Sequence, residues 1–196
     1  MIKRVTGRFN AFRRERSGFT LAEMLVVIAI ITLLSVSTVA NFTSLGNAAV
    51  LERSARELGL AIRKAQNAAL AVSVFTQTGA TPPPAVGIRV TVGGGSYLYF
   101  GDKNGDGKYD PCCEFIAQTT FERSVKVSRI IDASGAPLAP GTTIGIVFSA
   151  PEAVINFYPG GGGTALPDAK MDIELKAPSG QVRTVSVHDT GQITVR

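Results

Sequence analysis

The chain has 196 residues, 45% of them hydrophobic and 18% charged. That suits one folded domain with an appendage and excludes a disordered chain. One histidine and two adjacent cysteines exclude a zinc site built from His and Cys alone, and a Ser-His-Asp triad would have to use His188. The net charge of +5 sits entirely at the start: residues 1–18 hold Lys3, Arg4, Arg8, Arg13, Arg14 and Arg16 against Glu15, and residues 19–196 balance 14 basic against 14 acidic groups. The body of the protein therefore lacks the electrostatic footprint of a nucleic-acid-binding domain.

After the basic tail, residues 19–40 form an apolar run of about 22 residues whose one charge is Glu23. As a helix it rises roughly 33 Å, enough to cross the hydrocarbon layer of a membrane. The basic tail would stay in the cytoplasm and leave the C-terminal part outside. A signal peptide cleaved near Ser35-Val36-Ser37 or Ala40 is the competing reading. Against it stands Glu23, since a carboxylate in lipid costs roughly 2.5–3.5 kcal/mol on insertion scales and marks a functional position.

Ser17-Gly18-Phe19-Thr20-Leu21-Ala22-Glu23, followed by the apolar helix, resembles the class III leader of type IV pilins and pseudopilins. The resemblance implies cleavage by a prepilin peptidase between Gly18 and Phe19, then methylation of the new N-terminal Phe19. The apolar helix would serve first as a membrane anchor and later as filament core. Glu23 would neutralise the terminal amine of a neighbouring subunit, because pairing removes the cost of two isolated charges in an apolar medium.

Residues 51–72 carry apolar side chains at Leu51, Ala55, Leu58, Ile62, Ala65, Ala69 and Val72, the stripe of an amphipathic helix. Glu52 and Arg56 lie off the stripe as an i,i+4 pair. The reading is one helix over about 20–76, with a weak point at Gly46-Asn47. Thr81-Pro82-Pro83-Pro84 ends it. Short β-like runs follow at 86–92, 97–100, 115–121, 125–131, 143–148, 154–158, 171–176, 182–187 and 192–195, divided by Gly, Pro and Asp. The last three predict an antiparallel meander, and Gly160–Gly163 reads as a flexible loop. The whole is α+β: a long N-terminal helix packed on an antiparallel sheet. The expected divisions are a cleaved leader at 1–18, a transmembrane or filament-core helix at 19–40, its amphipathic continuation at 41–76 and a β-rich domain at 77–196.

Asn41 to Leu45, Ser54 to Leu58, Ala61 to Gln66, Val182 to Val187 and Thr190 to Val195 are similar to segments of the H-type pseudopilins of type II secretion and of FimT-type minor pilins. Ala40 stands where many relatives carry a helix-bending proline. The resemblance implies partners in other pilin or pseudopilin subunits, the prepilin peptidase and an inner-membrane assembly machinery.

Asp102-Lys103-Asn104-Gly105-Asp106-Gly107-Lys108-Tyr109-Asp110 matches the start of an EF-hand-type calcium loop. Asp102, Asn104 and Asp106 supply oxygens at positions 1, 3 and 5, Lys108 a carbonyl at 7, and Asp110 falls at 9. Position 12 is Cys113, and Glu114 follows one place late. The competing reading is a solvated turn. Cys112 and Cys113 are a candidate vicinal disulfide, an intermolecular bridge or two free thiols, and the absent C-x-x-C pattern argues against redox catalysis. His188 beside Asp189 reads as a turn residue at the surface rather than a catalytic pair. Lys170, Lys176, Arg183 and Arg196 would have to cluster for the chain to grip DNA. The expectation is thus a structural subunit without catalytic residues, a minor pseudopilin or minor type IV pilin. The alternatives are a membrane-anchored calcium-dependent binding module and a DNA-binding minor pilin.

Overall fold

A computed structural model describes residues 18–160, 164–167 and 169–196, without the side chains of 38–45. The expected leader, apart from Gly18, lies outside the described residues, as does most of the Gly160–Gly163 loop. The chain divides into two units, 1–42 and 43–196. Helix α1 is Leu21–Leu70 and runs unbroken through Gly46-Asn47. Nine strands follow among the described residues: β1 Ala85–Thr91, β2 Ser96–Asp102, β3 Phe115–Thr120, β4 Lys126–Ile131, β5 Thr143–Ser149, β6 Val154–Pro159, β7 Lys170–Lys176, β8 Val182–His188 and β9 Ile193–Val195.

Each expected strand is present, but they form two sheets rather than one. All pairs are antiparallel, in the orders β3-β2-β1-β5-β6 and β4-β7-β8-β9, and the last sheet contains the expected meander. The chain passes between the sheets three times, after β3, after β4 and after β6. A short 3₁₀ turn at Glu122–Ser124, with Arg123 and Ser124 both at positive φ, takes the chain out of the first sheet and into β4 of the second. Positive φ at non-glycine residues gives no compositional warning of such a turn.

The helix also ends six residues before the expected position. Ser73 N–H donates to Ala68 O and Val72 N–H to Ala69 O, with Val72 at φ 48°. This is a Schellman closure with valine in the left-handed position that glycine usually holds.

Within residues 43–196, the stripe Leu51, Ala55, Leu58, Ile62, Ala65 and Ala69 is fully buried. It shares one core with the inward residues of both sheets, among them Ile88, Ile146, Phe148, Ile130, Ile173 and Val187. The three alanines let the helix backbone approach the strands closely. Period-two alternation supplies the rest: Met171, Ile173 and Leu175 point inward from β7, while Lys170, Asp172 and Glu174 do not. A second, smaller core of Ala85, Phe100 and Val147 lies apart from the first, with Leu98, Tyr109 and Tyr158 packed against it.

Candidate functional site

The N-terminal segment is built by a reciprocal cap. Thr20 N–H and Thr20 Oγ1–H donate to Glu23 Oε2 at 3.1 and 3.0 Å, and Glu23 N–H donates to Thr20 Oγ1 at 3.2 Å. This is a capping box of the form T-x-x-E, which satisfies backbone donors that the first helical turn leaves open. The sequence shows that spacing, so the role was readable there. Gly18 and Phe19 precede the helix in open chain. A Cβ on Gly18 would meet nothing within 4 Å, and Phe19 is 79% exposed. The Gly18–Phe19 peptide bond is thus accessible and lies one residue before the cap.

From Leu21 to Ser37 every described side chain of α1 is exposed, on all faces. Leu25, Ile28, Ile31 and Leu34 are among these large apolar groups. Thr32 and Ser35 turn their hydroxyls to their own helix: Thr32 Oγ1–H donates to Ile28 O at 3.0 Å, and Ser35 Oγ–H to Ile31 O at 2.7 Å. A hydroxyl satisfied in this way asks nothing of its surroundings, which suits an apolar medium. Among the described residues no helix is long and apolar enough to cross a membrane. The side chains of the apolar run are described only as far as Ser37.

The Asp102–Glu114 loop is organised by its own carboxylates. Buried Asp102 accepts from Gly105 N–H at 2.7 Å through Oδ1 and from Gly107 N–H at 2.8 Å through Oδ2. Buried Glu114 accepts from Lys103 N–H at 2.8 Å and Asp110 N–H at 2.7 Å, which ties both ends of the loop together. Asn104 and Asp106 accept from the N–H groups of Asp106 and Lys108. Gly107 sits at φ +75° with the Tyr158 ring directly against it, so any side chain there would collide. Desolvation pushes the Asp102 carboxyl up despite its N–H donors. Glu114 is raised by desolvation first and then by the charges of Asp102 and Asp110.

Oxygen donors of this kind suit a hard cation. Among the described residues, however, no group of three or more His, Cys, Asp or Glu side chains is gathered so as to hold a metal. Cys112 is exposed and Cys113 half-buried, both as free thiols. A hydrogen bond with Cys112, then burial, raises the Cys113 thiol.

His188 is half-buried at the end of β8, where its N–H donates to Gln192 O. Lys176, Arg183 and Arg196 come to the same end of the second sheet, where Lys176 stands opposite Val182 and Arg196 exchanges backbone hydrogen bonds with Thr184, while Lys170 lies at the other end of β7. Lys170 pairs with Asp172 at 2.7 Å and Arg183 with Glu52 at 2.8 Å. Lys170 and Lys176 stand at opposite ends of β7, roughly 20 Å apart at 3.3 Å per residue.

The family model for the prokaryotic N-terminal methylation motif matches residues 13–39. No curated protein and no solved structure matches the chain. The motif, which encloses Gly18, Phe19 and Glu23, supports a type IV pilin-like prepilin. It implies membrane anchoring, processing by a prepilin peptidase and association with other pilin subunits. The helix-on-antiparallel-sheet fold of residues 43–196 is consistent with that class.

Proposed function

We propose that the chain is a minor filament subunit of a type II secretion pseudopilus or, as the nearest alternative, of a type IV pilus. A prepilin peptidase cuts between Gly18 and Phe19, and Phe19 is methylated. The apolar helix holds the subunit in the cytoplasmic membrane with residues 43–196 outside. The subunit then leaves the bilayer for the filament, and its apolar helix enters the filament core. There Glu23 neutralises the terminal amine of a neighbour and sets the register. The chain acts as a building block, and no reaction step is assigned to its residues.

The observation that carries this reading is the junction of the methylation motif with a helix exposed on every described face. So much bare apolar surface requires cover from lipid or from other subunits. Intact mass spectrometry of the protein from its native membrane tests it. The expected species begins at Phe19 and carries one additional methyl group. A retained leader, or a cut near Ala40, would overturn the reading.

A second reading concerns the loop. Asp102 and Glu114 are two buried carboxyls raised by desolvation, and Asp102 adds its charge to the load on Glu114. A calcium ion would relieve that repulsion, held by Asp102, Asn104, Asp106, the Lys108 carbonyl, Asp110 and Glu114. The exposed Asn104 and Asp106 side chains would have to turn from their local N–H partners to join it. Calcium at 100 times its dissociation constant should stabilise the domain by about 2.7 kcal/mol. A melting temperature that is the same in calcium and in chelator would overturn this second reading.

A further inference from the structure

A cleft of about 210 Å³ lies beside the smaller core, between the 107–110 segment and strands β1, β5 and β6. Its wall contains a cation without a counter-ion. The side chain of Arg89, half-buried on β1, makes no ion pair or hydrogen bond among the described residues. Its guanidinium carbon lies 5.6 Å from the centroid of the Tyr109 ring instead. The Tyr109 ring is itself braced edge-on by Phe100 at 5.8 Å. The guanidinium is thus held in place by stacking, with its fork of N–H donors uncommitted.

Lys108 adds a second positive charge to the rim, Asp110 one negative charge and Thr143 a hydroxyl, while Tyr158 closes the side facing Gly107. The floor is open at Gly145. A Cβ there would approach only Gly107 O at 3.5 Å, Val147 Cγ2 at 3.7 Å and Tyr158 O at 3.8 Å, all ordinary contact distances.

These groups restrict the ligand. An apolar molecule would bury Arg89 unpaired, which is costly. A bare inorganic anion would satisfy Arg89 and leave the apolar part of the lining, which includes Phe100, Tyr158 and Pro159, uncovered. Asp110 accepts only, so the ligand must also offer hydrogen-bond donors. A carboxylate for Arg89, a flat and partly apolar body for the tyrosines, and hydroxyls for Asp110 and Thr143 together describe an acidic sugar. The volume is below that of sites for drug-sized ligands and suits about one ring.

We propose that this cleft binds a hexuronic acid residue of an acidic polysaccharide, with Arg89 pairing the carboxylate and Tyr109 and Tyr158 forming the walls. The site does not depend on filament assembly.

The test is isothermal titration of the full-length chain in detergent micelles, with chelator present, against a galacturonic acid trimer. A neutral galactose trimer and inorganic phosphate serve as comparisons. The expected result is at least tenfold tighter binding of the acidic trimer than of either comparison ligand. Arg89→Gln should weaken it at least tenfold. Gly145→Ala, which adds one methyl group to the floor without a clash, should weaken it several-fold at an unchanged melting temperature. Four results would each overturn the proposal: equal binding of the neutral trimer, equal binding of phosphate, binding that needs added calcium, or no binding at millimolar ligand. Should Arg89→Gln fail to fold, unchanged affinity in Gly145→Ala would overturn it alone.

Discussion

The two stretches of α1 treat their apolar side chains in opposite ways. From Leu21 to Ser37 the apolar residues surround the helix, and all of them face outward from it unprotected. From Leu51 to Ala69 six of them occupy one stripe that is completely buried, while Leu60 lies off it at the surface and Glu52, Arg56 and Lys64 stay outside the core. Both stretches belong to the same α-helix, so the difference lies in the number and pattern of apolar side chains. A stripe can be covered by one neighbouring sheet of the same chain. A helix that is apolar all round can be covered only by a medium or by several neighbours. The second stretch is therefore finished by intramolecular folding, and the first awaits lipid or other subunits.

The sharpest test of that contrast is a pair of truncations. Leu58→Ala removes a fully buried side chain and should cost about 2–5 kcal/mol of unfolding free energy. Leu25→Ala, in the exposed stretch, should leave the melting temperature of the folded domain unchanged in detergent. Equal losses in thermal melts would break the comparison. A second pair inverts the assay. Ile28→Lys should oppose membrane insertion by about 2.5–3.5 kcal/mol, read as the inserted fraction in a translocation assay. Leu60→Lys, at a 66% exposed site on the second stretch, should change domain stability by less than about 0.5 kcal/mol.

Much of this contrast was legible in the sequence because it depends on local pattern. The stripe from Leu51 to Ala69 and all nine strands could be placed from periodicity and turn residues. What escaped depends on backbone states and distant partners. Val72 in a left-handed cap carries no glycine to announce it, so the helix end was misplaced. Arg123 and Ser124 at positive φ concealed the first of the turns by which the chain passes between the two sheets. The leader was legible as a contiguous motif, and the Thr20–Glu23 cap was present in the same residues but unread. Glu114 was read only as a late ligand, and nothing in the spacing announced that it also ties Lys103 to Asp110. The Arg89 cleft was out of reach, since β1, β5, β6 and the 107–110 segment contribute to it from well-separated parts of the chain.

Glu23 belongs to the exposed stretch, where it closes the capping box, and substitution can separate that task from the proposed charge pairing in assembly. Glu23→Ala removes the charge and the carboxylate half of the capping box, leaving the backbone N–H of that position on Thr20 Oγ1. Glu23→Gln keeps a side chain that can close the box and removes only the charge. If charge pairing directs assembly, both variants should be cleaved and inserted normally yet enter filaments at a small fraction of the wild-type level. Recovery of the subunit from sheared filaments, quantified by immunoblot, provides the measurement. Normal entry of Glu23→Gln with loss of Glu23→Ala would assign the residue to capping alone.

The smallest effects belong to the outer face of the second stretch. Glu52 receives Arg183 Nε and Arg56 Nε, each at 2.8 Å, and both arginines are largely exposed. Exposed pairs are screened and contribute about 0–1 kcal/mol, so Arg183→Ala should cost no more than that. The pH dependence has a definite sign. Hydrogen bonds first from Arg183 and then from Arg56 hold the Glu52 carboxyl below its ordinary 4.5. Its small contribution is present above that value and fades as pH falls through the lowered folded one. Asp102 and Glu114 act in the opposite direction. Their carboxyls are raised in the fold above 3.8 and 4.5, so the native state binds those protons more tightly. Stability from these two groups is therefore greatest at low pH and declines as pH rises through the raised values. Melting curves taken against pH in chelator should show this decline in wild type and in Arg183→Ala, while the acid-side loss from Glu52 should be smaller in the variant. A decline that vanished in Arg183→Ala would place the pH response in the helix pair rather than in the loop.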